Sequence, residues 1–456
     1  MRHITNNCFP GWISRCARAI RPVSVDLHTG QQIMEMKQTI TSDTIRAQRI
    51  GAGLQKWHLN AVVGTLPENV LLLSGYWPVV GTSIALATDE GRIALIVPED
   101  EWDLATQSWA DDVATFAPAS LDKISGTVAA VRDVLNSTIK KLRIERGRIG
   151  IESGATTVPA SYVGMFLYES SRDELLTHAL PSATLISAEA LLSRLRSMPT
   201  PYELERIRIA CQCAERAFRS GAGRLQTGLR ETTAATLFRT LLEETRESHS
   251  RIERAGGFMF CMSGVNSARA YAAYQRSRER VLQQGDLALI HRNSYVDGYW
   301  TDITRTFCLG GTEERVCAMY EAVLDARRAA LKAIRPGVRA AEVDRAARER
   351  IKAHGFGAQF KHATGHGVGF AAIDHQALPR LHPLSDDVLE PGMVFNVEPG
   401  IYFEDFGGMR HCDMVVVTHD GVEVLTPFQS TLAELVIPET ARNPKEQAHP
   451  FGAVAD

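Results

Sequence analysis

Eight of the chain's 14 histidines lie between His291 and His419, and the residue types around them are those that bind cations or move protons. The strand-like runs Asp286–Ile290 and Trp300–Phe307 flank Asp297-Gly298, a strong two-residue hairpin turn. This places His291 and Asp302 nearly opposite each other, near enough to share a ligand. A second strand-like pair, Met393–Glu398 and His411–Val417, flanks Phe406-Gly407-Gly408 and puts Glu398 and Cys412 in a similar relation. Between the two pairs lies His362-Ala363-Thr364-Gly365-His366-Gly367-Val368-Gly369, whose glycines permit close backbone approach. A mixed nitrogen, oxygen and sulfur set of this kind favours zinc over magnesium or calcium. The same residues also fit plain packing, with Asp302 paired to Arg305, Glu398 to Arg410, and Cys412 as a buried apolar filler. Spacing alone leaves both readings open.

The elements that must position these residues fall into two textures. In a chain of 456 residues two domains are expected. Helix periodicity runs over Ile40–Leu59, followed by β-rich segments at Ala61–Gly64 and Asn69–Tyr76. The strands Ser83–Ala87 and Arg92–Val97 are joined through Asp89-Glu90-Gly91 as a hairpin. Helical stretches near 101–112, 121–140 and 158–170 alternate with strands at Ile149–Glu152 and Thr184–Ser187, so residues 37–198 read as an α/β domain. It has no glycine-rich strand-to-helix loop of the nucleotide-binding kind. Met198-Pro199-Thr200-Pro201 punctuates the chain, and Pro201 with Glu203 and Glu205 suits a helix start. From there long helices (202–224, 230–247, 313–334, 339–354) surround β-rich pieces near 258–262, 286–294, 299–307, 393–398 and 411–417. Residues 199–430 are therefore expected to be α+β around a mostly antiparallel sheet. Residues 1–36 read as an extension outside the fold and 431–456 as a tail.

Lysine and arginine total 50 against 53 acids, a formal charge of −3, which gives no support to a nucleic-acid partner. No apolar run reaches the length of a membrane span, and no secretory signal is visible, so the cytoplasm is the expected location. Eight cysteines are too sparse for a disulfide scaffold.

Four segments carry more than spacing: Gly298-Tyr299-Trp300-Thr301-Asp302-Ile303-Thr304-Arg305-Thr306-Phe307, Gly365-His366-Gly367-Val368-Gly369, Pro391-Gly392-Met393-Val394-Phe395-Asn396-Val397-Glu398-Pro399-Gly400, and Gly408-Met409-Arg410-His411-Cys412-Asp413. In this order they resemble the creatinase/aminopeptidase P/methionine aminopeptidase superfamily. The resemblance implies a C-terminal pita-bread domain, and the preceding α/β domain looks like that of the prolidase and creatinase branches. It also implies a homodimer. On the ligand pattern of its metallopeptidase members, Asp302 matches a bridging aspartate, His366 the histidine and Glu398 the first glutamate. Two positions depart. His291, eleven residues before Asp302, stands where another aspartate is expected, and Cys412 where a bridging glutamate belongs. Losing two carboxylates removes charge that offsets repulsion between cations about 3.5–4 Å apart, which puts a two-metal centre in doubt. One divalent ion (zinc, manganese, cobalt or iron) on Asp302, His366 and Glu398, with Cys412 and His291 as further candidate ligands, is one expectation. A metal-free site is the other.

The resemblance extends to His362 as a substrate-contacting histidine and to His375, where a His-Glu pair is common. A catalytic histidine expected after Phe260-Cys261-Met262-Ser263-Gly264 is replaced by Tyr271 and Tyr274, poor general bases at neutral pH. Arg410 either orients Glu398 or meets a substrate carboxylate. Three functions follow: a C–N hydrolase like the Xaa-Pro peptidases, acting on a short peptide; a metal-independent, creatinase-like hydrolase or lyase of a small polar amide; or a non-catalytic peptide-binding protein.

Overall fold

The computed structural model describes residues 43–79, 82–118, 121–122, 126–152, 169–239, 252–271 and 276–438. The extension 1–36, all but the last two residues of the helix expected near 158–170, most of the tail and Tyr274 lie outside them.

Helix α1 (Thr44–Lys56) starts where the Asp43 carboxylate accepts from the Arg46 amide at 3.0 Å. Strand β1 (Ala61–Gly64) follows and then α2 (Pro67–Ser74), where a β segment was expected. Pro67 opens this helix at its first turn and Gly75, at φ 78°, closes it. Every residue from Asn69 to Ser74 is buried, so the helical period leaves no polar face in the sequence. The predicted hairpin forms as β2 (Ile84–Thr88) and β3 (Ile93–Pro98). The helix expected over 101–112 shrinks to α3 (Trp102–Ala105) before β4 (Asp112–Phe116). Then come α4 (Thr127–Leu142), β5 (Arg146–Ile151), α5 (Glu169–Ala179), β6 (Ser182–Ser187) and α6 (Glu189–Arg196). The strands form one mixed sheet in the order β4-β3-β2-β1-β5-β6.

Helix α7 (Pro201–Ala222) begins with a complete capping box, Thr200 and Glu203 satisfying each other's backbone amides. Arg46 Nε donates to Glu203 at 2.8 Å, so α1 is tied to α7 by a fully buried ion pair. Helix α8 (Glu231–Leu237) leads to β7 (Ala255–Ser263), β8 (Leu287–Val296) and β9 (Tyr299–Leu309), an antiparallel run. Asp297 and Gly298 turn between β8 and β9 with φ of 47° and 85°, the positive values a two-residue hairpin requires. Helices α9 (Glu314–Ala333) and α10 (Ala340–Ala353) pack together. Strands β10 (Val394–Val397), β11 (Gly400–Phe403), β12 (Gly407–Arg410), β13 (Asp413–Val417) and β14 (Val422–Val424) complete the second half. They pair as β10-β13-β14 and β11-β12. The assigned tail starts too early: α11 (Leu432–Leu435) buries Leu435, and β15 (Val436–Ile437) pairs with β9. Among the described residues no helix is long and apolar enough to cross a membrane.

Candidate active site

Strand alternation sorts the β7-β8-β9 sheet into two faces. Met259, Cys261, Ala288, Ile290, Ile303 and Phe307 point into the core. The opposite face carries His291, Asn293 and Asp302. The register corrects one expectation: Asn293 stands opposite Asp302, and His291 opposite Thr304. His291 still approaches Asp302 diagonally, Nε2 to Oδ1 at 3.5 Å.

The glycine-flanked segment is laced to β10. The Asn396 amide donates to the His366 carbonyl (3.0 Å), the His366 amide to Asn396 Oδ1 (2.7 Å), and the Glu398 amide to the Thr364 carbonyl (2.8 Å). A Cβ on Gly365 would collide with the Asn396 carbonyl oxygen, so only glycine allows this approach. A backbone bridge between Thr304 and Cys412 joins the two hairpins. Asp302, His366 and Glu398 thereby converge, each buried, with one donor atom apiece within 4.8 Å of the others. His366 Nε2 lies 3.5 Å from Asp302 Oδ2 and 3.6 Å from Glu398 Oε1. Its Nδ1 faces the Gly367 carbonyl at 2.9 Å and must carry a proton there, which leaves Nε2 as the nitrogen turned toward the carboxylates. Two carboxylates and an imidazole so arranged fit one divalent cation.

His291 and Cys412 do not enter that group. Arg410, which can only donate, hydrogen-bonds His291 Nδ1, so the neutral ring carries its proton on Nε2 and presents it to Asn293 Oδ1 at 2.6 Å. Neither nitrogen has a lone pair to offer. The Cys412 thiol donates to the Asp302 carbonyl at 3.2 Å and stands 3.8 Å from Asp302 Oδ1, and burial pushes its pKa up, away from the thiolate a metal requires. Arg410 is itself buried. It donates to Thr304 Oγ1 and to the Ala270 carbonyl, both at 3.1 Å, and lies 3.6 Å from Glu398 Oε2. Of the two roles expected for it, orienting the site is the one its bonds support.

His362 is also committed. Nδ1 donates to the Ala363 carbonyl (2.7 Å), leaving Nε2 to accept from the Tyr402 hydroxyl (3.0 Å), so it has no N–H left for the substrate contact expected of it. Burial and Arg410 lower its pKa to about 3. Tyr271 packs its ring on Tyr402 at 5.4 Å. The His375 ring lies 5.2 Å from that of His366, on a loop held by Asp374, which Arg196 Nε contacts at 2.7 Å. Asn396, Asn293 and Tyr402 were not singled out from sequence. Asn396 is two residues from Glu398, and period-two alternation was the available signal for it.

Electrostatics divides the triad. Burial opposes charge on all three side chains. On Asp302 it is outweighed by His291, His366 and Arg410, which hold the carboxyl low. On Glu398 it prevails, and the carboxyl rises to about 7. On His366 the Asp302 hydrogen bond and the Glu398 charge overcome burial and raise the imidazolium to about 9.

Two families match by sequence: the creatinase/prolidase N-terminal domain over residues 46–198 and metallopeptidase family M24 over 205–419. An Xaa-Pro dipeptidase of Pyrococcus furiosus is 31% identical over 366 residues, covering 80% of this chain and 93% of that protein. Among solved structures, the prolidase of Pyrococcus horikoshii OT3 superposes with a TM-score of 0.66 at 26% identity, covering 84% of this chain and 97% of that one. An X-Pro aminopeptidase of Thermotoga maritima gives 0.68 at 25% identity, over 85% of this chain and 100% of that one.

Proposed function

The chain belongs to metallopeptidase family M24, and from that premise we propose that it hydrolyses the peptide bond of short Xaa-Pro peptides at a centre taking one divalent cation. The observation that carries this reading is the convergence of Asp302, His366 and Glu398. A bound cation (zinc, manganese, cobalt or iron) would supply Lewis acidity to the scissile carbonyl and acidify water. The chain's own groups do the rest. His366 keeps Nε2 directed at the centre by donating Nδ1–H to the Gly367 carbonyl. Asn396 holds that segment, its Oδ1 accepting from the His366 amide at 2.7 Å and its Nδ2 lying 3.4 Å from Asp302 Oδ2. Glu398 turns Oε1 to the centre, 3.6 Å from His366 Nε2, and its Oε2, 3.6 Å from Arg410 Nη1, is the oxygen we assign to take a proton from attacking water and return it to the leaving amine. Tyr402, fixed by His362, and Arg410 line the Glu398 side.

A second reading, cation-independent hydrolysis of a small amide, is favoured by Arg410, whose buried positive charge beside Glu398 offsets a site carboxylate with no cation bound. One experiment separates the two. Ala-Pro hydrolysis is followed in protein loaded with manganese, cobalt or zinc, then stripped with chelator, then reloaded, with metal content measured each time. Activity that vanishes and returns with one cation per chain is expected. Full activity in stripped protein favours the second reading, and no hydrolysis of any Xaa-Pro peptide refutes the first.

A further inference from the structure

The site face of β8 carries a hydrogen-bond donor that the protein itself leaves unused. Asn293 is 2% exposed, and its Nδ2 has no partner among the described residues, although Asp302 stands opposite it on β9. Its neighbours decide which end of the amide is unpaired. Arg410 donates to His291 Nδ1, so His291 carries its proton on Nε2 and can give it only to an oxygen, Asn293 Oδ1 at 2.6 Å. The same Nε2 lies 3.5 Å from Asp302 Oδ1, which sets the amide beside that carboxylate. A flipped amide would turn N–H against N–H. The relay Arg410–His291–Asn293 therefore holds Oδ1 to His291 and leaves both hydrogens of Nδ2 without an acceptor.

A buried donor left unpaired is costly, and such groups persist where a ligand supplies the acceptor. Other donors at the site are spent within the protein: His362 on the Ala363 carbonyl, Tyr402 on His362, and Cys412 on the Asp302 carbonyl. We propose that Asn293 is a catalytic donor whose Nδ2–H binds the oxyanion that develops on the scissile carbonyl, with His291 and Arg410 as the positioning residues that fix it. This rests on the hydrolase reading for its substrate. As the water oxygen bonds the carbonyl carbon, Glu398 takes a proton from that water and the carbonyl π pair moves onto its oxygen. A donor already in place meets that charge without reorganising. When the pair returns, the C–N bond breaks and the leaving nitrogen takes the proton from Glu398. His291, at a position where the ligand pattern has a carboxylate, thus serves the reaction by orienting an amide.

Two non-hydrolysable mimics of Ala-Pro test this by calorimetric titration of the metal-loaded protein. The phosphinate isostere places tetrahedral oxygens at the attacked carbon, whereas Ala-ψ(CH2N)-Pro has no oxygen there. Asn293→Ala is expected to weaken the phosphinate about a hundredfold and the reduced-bond isostere less than about twofold, with metal content unchanged. Its kcat for Ala-Pro should fall about as far, with KM within about threefold of the parent. Asn293→Asp keeps the oxygen that His291 uses and removes only the donor, so it should lose at least as much even if the alanine variant folds poorly. His291→Ala should weaken the phosphinate and add less than about twofold on top of Asn293→Ala; full additivity removes the relay. Phosphinate affinity retained within about threefold in both Asn293 variants, or equal losses for the two mimics, overturns the donor. A parent that cleaves no Xaa-Pro peptide removes the hydrolase reading, and the two mimics still decide the donor.

Discussion

Cation binding at Asp302, His366 and Glu398 should release a proton, and the affinity should climb steeply with pH. In the cation-free protein His366 is held as an imidazolium up to about pH 9, because the Asp302 bond and the Glu398 charge outweigh burial. Coordination needs the neutral ring, so below pH 9 each cation must displace that proton. At pH 7 the displacement spans two pH units, about 2.7 kcal/mol at 1.36 kcal/mol per unit, or about a hundredfold in affinity relative to pH 9. Glu398, raised to about 7, adds a smaller increment near neutrality. The same shift has a sign for folding stability. A histidine whose folded pKa lies above its unfolded value of about 6.5 stabilises the cation-free fold fully below 6.5, and that contribution disappears as pH rises through 9. Raising the pH thus weakens the empty protein and tightens the loaded one. Manganese titrations between pH 6.5 and 8.5, in buffers of different ionisation enthalpy, count the protons directly. Affinity rising about tenfold per pH unit with at least one proton released per cation is expected. A flat affinity with no proton release refutes the assignment of His366 as a ligand.

Two further variants probe the surroundings. His291→Asp with Cys412→Glu restores the two missing carboxylates and should raise manganese content measured by elemental analysis from one to two per chain; content unchanged at one means that Arg410 blocks the second position whatever stands at 291 and 412. Arg196→Met leaves Asp374 buried without the cation that also holds Asn69 (2.5 Å) and Gln376 (3.1 Å), and should cost about 3–5 kcal/mol in urea unfolding. A loss under about 1 kcal/mol would show that the Asp374–Ala377 loop does not depend on that pair.

The sequence made legible what local chemistry determines. Asp297-Gly298 announced its hairpin, Thr200-Pro201 with Glu203 announced α7, and four motifs in order announced the second half of the fold. The α2 helix was missed because tertiary burial on all sides removes the period that would have marked it. The register of β8 against β9 was within reach: a two-residue turn at 297 and 298 pairs Val296 with Tyr299, and counting outward puts Asn293, not His291, against Asp302. What no pattern could supply is the donor assignment. His291 is excluded as a ligand by Arg410, 119 residues away, and His362 loses its free N–H to Tyr402, 40 residues away. Residue type advertises what a side chain can do, whereas its hydrogen-bond partners decide which of those things remain available.

That distinction also explains why a site short of two carboxylates can remain coherent. In the ligand pattern the chain resembles, four carboxylates balance two dications. On the proposed reading Asp302 and Glu398 would balance one, and the two altered positions are neutral hydrogen-bond donors that brace Asp302 through the Cys412 thiol and the His291–Asn293 pair. A lone substitution at either position would have left an uncompensated charge in a buried site, at several kcal/mol. The paired change would keep the carboxylates and a single dication at a net charge of zero. With Arg410 locked to His291, Thr304 and the Ala270 carbonyl, the space beside Glu398 carries a fixed positive charge. Repulsion from that charge adds to the missing ligands in opposing a second cation.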